Sequence, residues 1–380
     1  MNATFRHVDL KIYDPDFGSN LTDLIITLDY LRKKTLSGTT HPAIFFQLKN
    51  IFHMLESIGS ARIEGNHTTI AEYIETKIDG SESTNESIAE IFNSEQAMEF
   101  IDDNISVTEI NRAFLSELHK IVVKDLTDEG SKTPGYYRKL NLTIAKSMHI
   151  PPAFSHVETY MDELINFINQ KNPEKYDLLK TAIAHHRFAW IHPFDNGNGR
   201  TVRLLTYAML IKQGFNVNLG RILNPTAVFC NDRNEYYDAL AHADKGTKQG
   251  VLTWCEYVLS GLKNEIEKID KLLDYEFLQN KILIPAIALA KKKENITDRE
   301  EKVLRIAAKK QVFMSSDIEH LFQGKAHTER SRILRKLRDK KMIIPESESS
   351  RKYIVRFDNN YLLRSIIETL GNNGFLPLKN

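Results

Sequence analysis

The sequence predicts a mainly α-helical protein with a small β component. Three observations carry that expectation. Apolar residues recur at helical spacing through most of the first 265 positions. Strand-like stretches are short and few. Beyond Ile282 the chain turns into short, strongly charged helical pieces followed by two strand-like ones.

Taken in order, Ala43 to Ile58 places Ile44, Phe45, Leu48, Ile51, Phe52, Leu55 and Ile58 on one helical stripe. Ile88 to Ile101, Val107 to Val123, Val157 to Ile168, Leu178 to Trp190 and Val202 to Ile211 repeat the pattern. Ser81 to Ser87 is polar enough for a surface loop. Leu142 to Ile150, closed by Pro151-Pro152, is the best hairpin candidate. No internal repeat is visible.

After a charged link at Ala290 to Glu294, Thr297 caps a predicted helix to Ala308, with Glu300 completing a capping box. Ser315 or Ser316 starts a short second helix to Phe322, and Gly324 makes the turn. A third, from His327 to Lys340, carries Arg330, Arg332, Arg335, Lys336 and Arg338. Met342 to Ile344 and Tyr353 to Phe357 then form two strands around polar Glu346 to Lys352. Three helices and a hairpin in that order make a winged helix-turn-helix.

The net charge of +1 hides a split. Ala290 to Phe357 holds 19 Lys/Arg against 10 Asp/Glu, a surplus of 9, so the rest of the chain carries −8. A basic module of this kind suits DNA, with Arg330, Arg332, Arg335 and Arg338 as the contacts. A solvated helix face, or a winged helix used for protein contact, accounts for the charge equally well. No stretch reaches the roughly 18 apolar residues of a membrane span. The first residues lack a secretory apolar run, and the two cysteines, Cys230 and Cys255, make no disulfide framework. A cytoplasmic location is expected, with no membrane partner.

The densest chemistry lies in His192-Pro193-Phe194-Asp195-Asn196-Gly197-Asn198-Gly199-Arg200-Thr201-Val202-Arg203. Glycines at a loop-to-helix junction let the backbone turn and let a ligand approach closely. First-turn amides lack intrahelical partners and favour an anion. Arg200 and Arg203, three apart, share one helix face and suit a polyphosphate. His192 has a side chain that can accept a proton near neutral pH. A Gly-Asn-Gly turn with two surface arginines is the plainer alternative. His185 and His186 read as packing residues on an apolar helix.

This segment resembles the Fic family signature His-x-Phe-x-(Asp/Glu)-Gly-Asn-Gly-Arg-x-x-Arg. The likeness extends over most of Ala43 to Leu262, through Gly135 to Pro152, Asn234 to Leu240 and Thr253 to Leu262. It implies a Fic-type helical bundle with a small β-hairpin flap, and transfer of AMP from ATP to a protein Ser, Thr or Tyr hydroxyl. It assigns His192 as the base, and Gly197, Asn198, Gly199, Arg200, Thr201, Val202 and Arg203 to the nucleotide phosphates. Phe194 anchors the loop. Tyr236 and Tyr237 border the nucleobase, and Ile144 and Met148 of the flap align the target by strand addition. The departure is Asn196, where the family carries a carboxylate that holds magnesium. A neutral oxygen binds a hard cation less well, so Mg2+ is expected with that reservation attached to the residue.

Ser60-Ala61-Arg62-Ile63-Glu64-Gly65 resembles the family's inhibitory motif, (Ser/Thr)-x-x-x-Glu-(Gly/Asn), and follows the helix expected to end near Ile58. Glu64 would pair with Arg203 and keep it from the terminal phosphates. Gly65 read alone is a helix C-cap. The resemblance divides the chain into an N-terminal helical region with the inhibitory helix (1–95), a catalytic core (96–265), a helical linker (266–294), the winged helix (295–360) and a tail (361–380). ATP, an unidentified target protein, self-modification, DNA and a homodimer are the partners considered. The alternatives are a nucleotide-sensing DNA-binding regulator with weak or no transferase activity, and an enzyme that removes AMP.

Overall fold

The computed structural model describes residues 5–33, 39–79, 85–144, 147–215, 225–324, 327–348 and 350–376. Parts of the 81–87 loop, of the 142–150 segment and of the C-terminal tail lie outside these. Packing divides the chain into two units. One comprises Met1–Thr35, Glu56–Thr68 and Ser83–Ile266; the other comprises Leu36–Leu55, Thr69–Glu82 and Glu267–Asn380.

The first unit is helical. Helix α1 spans Asn20–Lys33, and α2, Pro42–Glu64, contributes its end from Glu56 onward here. Then come α4 (Glu86–Asn104), α5 (Arg112–Val122), α6 (Phe154–Asn169), α7 (Asp177–Ile191), α8 (Asn198–Lys212), α9 (Thr226–Cys230), α10 (Arg233–Ala243) and α11 (Lys248–Asp270). Helices α7 and α8 pack on each other at the centre, with α6 against α7 and with α4 and α5 against α8. Caps fix several starts. Asn85 accepts from the Ser87 amide, Asn111 from Phe114, and Asp232 from Asn234 and Glu235. The Asn111 cap explains why α5 starts at Arg112 and not at Val107.

Helix α2 runs to Glu64, six residues past the expected end at Ile58. Gly59 is tolerated inside it, where a Cβ would lie 3.1 Å from the Cys230 sulfur. Gly65, at φ 111°, is what stops it. The inhibitory motif is thus the last turn of the helix and not a sequel to it.

The second unit holds α3 (Ile70–Asp79), α12 (Tyr275–Phe277), a π-helical turn at Leu278–Leu283, α13 (Ile284–Lys292) and α14 (Asp298–Lys310). The capping box of Thr297 and Glu300 is present. Strand β1 (Val312–Met314), a 3-10 helix at Ser315–Phe322, α15 (His327–Asp339), β2 (Ile343–Pro345) and β3 (Lys352–Val355) follow. The sheet is antiparallel in the order β1-β3-β2, with Val312 and Ile344 both opposite Ile354. Three-residue β1 was not foreseen. Nor was α16, Leu362–Asn372, in the stretch expected to be a tail. It forms because Leu362, Leu363, Ile366, Ile367 and Leu370 fall on one stripe and are buried.

The expected flap falls partly on residues 145 and 146, which lie outside the described residues. The described residues of 142–150 form no strand ladder. A turn closes with the Ser147 amide on the Ile144 carbonyl, but neighbouring polar groups bond elsewhere. His149 Nε2 meets the Trp190 carbonyl, and Asn141 Oδ1 accepts from the Phe154 amide. Among the described residues, no helix is long and apolar enough to cross a membrane.

Candidate active site

Helix α7 is buried along nearly its whole length and ends at His192, whose backbone is left-handed (φ 51°, ψ 62°). That conformation and Pro193 end the helix and turn the chain into the loop. The imidazole is only partly buried. Burial nevertheless pushes its pKa down to about 4, against an upward pull from the Ala189 carbonyl and Glu64. The ring is therefore neutral near pH 7, the form a general base needs. With the Ala189 carbonyl accepting from one ring nitrogen, the other is left able to accept.

Asn198 closes the loop internally. Its Oδ1 accepts from the Phe194 amide at 2.9 Å, and its Nδ2 donates to the Phe194 carbonyl at 3.0 Å. Phe194 is fully buried, the expected anchor. Gly197, at φ 72°, caps α8, and a Cβ there would lie 2.8 Å from Val123 Cγ1. Thr201 is the first residue to bond back, its amide on the Gly197 carbonyl at 3.0 Å. The amides of Asn198, Gly199 and Arg200 thus stand at the helix N-terminus, where the dipole favours an anion.

An anion of the protein's own lies there. Glu64 Oε1 accepts from Arg203 Nη2 at 2.7 Å. A Cβ on Gly199 would be 2.0 Å from that same oxygen, so only glycine admits the carboxylate at this point. Ser60 completes the contact. Its hydroxyl accepts from Arg203 Nε at 2.8 Å and its carbonyl from Nη2 at 3.1 Å. Burial pushes the Glu64 carboxyl up, but the charge and hydrogen bond of Arg203, with Arg200 and His192 beyond, hold it below its ordinary value. Gly65 caps the helix while Glu64 pairs with Arg203, so the two sequence readings of this turn hold together.

Arg200 differs from expectation. Its side chain is fully buried, and its Nε has no hydrogen-bond partner among the described residues. Nη2 donates to the Glu129 carbonyl at 2.8 Å and lies 3.3 Å from its carboxylate, while Nη1 is 3.2 Å from Glu90. Glu90 is itself buried and accepts from Asn66 Nδ2 at 2.7 Å. Thr201 and Val202, expected at the phosphates, point into the core, and the Thr201 hydroxyl is taken by the Gly197 carbonyl. Tyr236 is likewise buried, with its hydroxyl 2.9 Å from His185 Nε2. Its ring packs against Phe229. Tyr237 stays exposed, with the Arg233 guanidinium over its ring. His185 and His186 bond Thr206, Tyr236 and Asp244, as packing residues do.

The residues do not fit a protein-held magnesium ion. Asn196 Oδ1 accepts from the Gly197 amide at 2.7 Å, and its Nδ2 donates to the Asp128 carbonyl at 3.3 Å. Asp195 next to it accepts from the Ser131 hydroxyl and the Lys132 amide. Both side chains therefore brace the 128–132 loop. Among the described residues no group of three His, Cys, Asp or Glu side chains is placed to hold a metal. No step below is routed through one.

Met148 is 72% exposed and Ile144 partly buried, on the segment that leaves Arg138. Sequence reasoning missed Arg138. It is buried, and binds the carbonyls of His192 (Nε, 2.9 Å) and Pro152 (Nη2, 2.6 Å), while its amide donates to the Pro193 carbonyl at 2.8 Å. It missed Glu90, Glu129 and His119 too. Their partners lie scores of residues away and leave no local spacing signal. In the second unit, Arg332 is 84% exposed along its side chain and Arg335 and Arg338 are exposed, whereas Arg330 is mostly covered and lies 3.0 Å from Glu319.

Comparisons with known proteins agree with this geometry. Residues 109–210 match the model of the Fic/DOC family. Two curated relatives named protein adenylyltransferase Fic, from Nematostella vectensis and Aedes aegypti, are 27% and 28% identical over 201 and 214 residues. These alignments cover 49% and 52% of this chain, and 42% and 37% of the relatives. The chain thus spans about two fifths of the length of the curated relatives it matches. Among solved structures, a Fic family protein from Desulfovibrio desulfuricans superposes with a TM-score of 0.54 at 20% identity, covering 90% of this chain and 98% of that one. A fragment of Fic-1 from C. elegans gives 0.53 at 19%, covering 65% and 71%. These likenesses establish a shared fold.

Proposed function

We propose, from the premise that residues 109–210 of this chain form a Fic/DOC-family domain, that the protein transfers AMP from ATP to a protein hydroxyl and is restrained by Glu64. One observation carries the reading: a neutral His192 stands at one end of a loop whose other end is a helix N-terminus already drawing a carboxylate. A site that attracts one anion suits the phosphates of a nucleotide, and the adjacent base suits an acceptor hydroxyl.

In the proposed step the triphosphate lies along the amides of Asn198 to Arg200. Glu64 swings off Arg203, which takes the terminal phosphate. Arg200 contributes charge while bonded to Glu129. The acceptor oxygen of a Ser, Thr or Tyr attacks the α-phosphorus, and its proton passes to the bare nitrogen of His192. The bond from that phosphorus to the bridging oxygen breaks, and pyrophosphate leaves with the electron pair. Positioned general-base help of this kind is worth about 10²–10⁴ in rate. Tyr237 is the tyrosine left to border the base, and Ile144 and Met148 the flap positions left to meet the target. Self-modification is the reaction to look for first. With both cysteines free, a reducing cytoplasm suits the chain.

The deciding experiment incubates the parent, Glu64→Gly and His192→Ala proteins with α-labelled and γ-labelled ATP. Label from the α position that needs His192 is the expected result. Label from the γ position alone indicates phosphorylation, and loss of AMP from a modified protein that requires Glu64 indicates the reverse reaction. No label in any protein sinks the transferase.

A second activity has its own support. The order of elements from α14 to β3 suits a winged helix at 295–360, on which Arg332, Arg335 and Arg338 leave their charge in solvent. Duplex DNA is the partner proposed for them. Binding should weaken steeply with salt, and a flat titration at low salt ends the idea.

A further inference from the structure

The imidazole of His119, on α5, is fully buried and lies flat on Phe194, with ring centroids 3.7 Å apart and planes 2° from parallel. It never meets solvent, so it cannot touch a substrate. Its two nitrogens face different backbone groups. Nδ1 lies 2.9 Å from the Gly135 amide, which can only donate. Nε2 lies 3.0 Å from the Asn196 carbonyl, which can only accept. One proton arrangement satisfies both: Nδ1 bare and Nε2 protonated. The charged neighbours are Asp195 and Arg200, whose effects oppose each other, and burial holds the ring neutral with a pKa of about 4.

The two partners matter because of where they sit. Asn196 is the residue before Gly197, and a Cβ on Gly197 would lie 3.4 Å from His119 Nε2. The ring therefore bounds the peptide that leads into the N-terminus of α8. Gly135 opens the segment that runs through Arg138 to Pro152. It is left-handed (φ 81°) and pressed so closely by Ser116 and Lys120 that a Cβ would lie 2.6 Å from the serine oxygen. One imidazole thus joins the turn before Arg138 to the loop whose His192 and Pro193 carbonyls Arg138 also holds.

We propose that His119 is a positioning residue: as the Nε2–H tautomer it fixes the Asn196 carbonyl, and through it the Gly197 to Arg200 amides, relative to His192. In the proposed reaction this sets the distance between the α-phosphorus and the acceptor oxygen, where a displacement of about 1 Å costs about 10²-fold. The inference rests on the transferase reading for its kinetic consequence and on geometry alone for its structural one.

The test uses three variants made in the full-length Glu64→Gly protein. In His119→Gln the amide nitrogen takes the place of Nε2 and keeps the Asn196 bond. His119→Asn puts its oxygen near Nδ1 and keeps only the Gly135 bond. His119→Phe retains the stacked ring and neither bond. Expected is a kcat close to the Glu64→Gly value for Gln and a loss on the order of 10²-fold for Asn and Phe, with KM for ATP little changed. Gln and Phe falling alike, or Phe losing nothing, overturns the proposal, because a merely structural ring would rank the variants by melting temperature instead. Nitrogen-15 spectra of labelled histidine in the unmodified protein should show the neutral Nε2–H form of His119 at pH 7. The Nδ1–H form or a protonated ring overturns it without any variant. If Glu64→Gly incorporates no label, the transferase reading fails separately. The Gly197 and Gly199 amide shifts then decide: they should move with Phe and hold with Gln, and shifts that stay put in Phe refute the positioning role.

Discussion

Glu64 and Arg203 meet at 2.7 Å, with the same Glu64 oxygen lying against Gly199; in the function proposed above, that is the ground a nucleotide's phosphates would take. The contact is charge-assisted and bears on an arginine that is fully buried. Replacing Glu64 by Gln keeps the shape and removes the charge. Replacing it by Gly also clears the space. Both should raise self-modification, Gly by about 10²-fold if misplaced phosphates are what the brake produces. Incorporation from α-labelled ATP measures this. Equal incorporation by parent and Glu64→Gly removes the brake from consideration.

The acid limb of the rate follows from His192. A base works only when unprotonated, and burial has lowered this one to about 4 from an ordinary value near 6.5. Activity in a released variant should hold steady as pH falls from 8 to about 5, and decline only near the lowered pKa. Glu64's charge pulls the His192 pKa upward, so removing it moves the limb further down. The profile of kcat against pH in Glu64→Gln checks both points. A limb centred at 6.5 would mean an exposed imidazole or a different base.

The parts of the site legible in the sequence are those whose partners are close in the chain. Gly197, Asn198 and Gly199 announce a loop-to-helix junction by their own chemistry, and Thr297 with Glu300 announces a cap in the same way. His119, Arg138, Glu90 and Glu129 do not, because each acts on a residue 54 to 110 positions away. Arg200 and Arg203 look equivalent in the motif. Only packing separates them, since one turns towards Glu129 and the other towards Glu64. The extension of α2 to Glu64 was hidden because the expected apolar stripe was followed only to Ile58, while Gly59 continues the helix and packs closely on Cys230. Among the described residues of 142–150, expected as a hairpin, no strand ladder is present, and the side chains of His149 and Asn141 bond the Trp190 carbonyl and the Phe154 amide.

Asn196 separates two ways of handling phosphate charge. Its oxygen is bonded to the Gly197 amide and its nitrogen to the Asp128 carbonyl. Asn196→Asp keeps the first bond, loses the second and adds a carboxylate beside Asp195. In the Glu64→Gly protein we expect Asn196→Asp to raise transfer at saturating magnesium and to make the rate depend more steeply on the ion, since a carboxylate is a better ligand for a hard cation. Rates measured across a magnesium titration decide the matter. No gain at saturation would show that bracing the 128–132 loop outweighs any benefit from the ion.

Asn66 links the turn after Glu64 to Arg200 by way of Glu90. Its Nδ2 donates to Glu90 Oε2 at 2.7 Å and to the Ser87 carbonyl at 2.7 Å, and Glu90 lies 3.2 Å from Arg200. Burial raises the Glu90 pKa above its ordinary value, against the opposing pull of Arg200 and Asn66. Removing one member of a buried ion pair typically costs about 3–5 kcal/mol. Glu129 also faces Arg200 and is partly exposed, which places Glu90→Ala towards the lower end of that range. Glu90→Gln preserves the acceptor for Asn66 and should cost less. Denaturant unfolding of the first-unit core reads the order parent, Gln, Ala. A Glu90→Ala protein as stable as the parent would show that Glu129 alone compensates Arg200, and that Asn66 binds Glu90 without consequence for the loop.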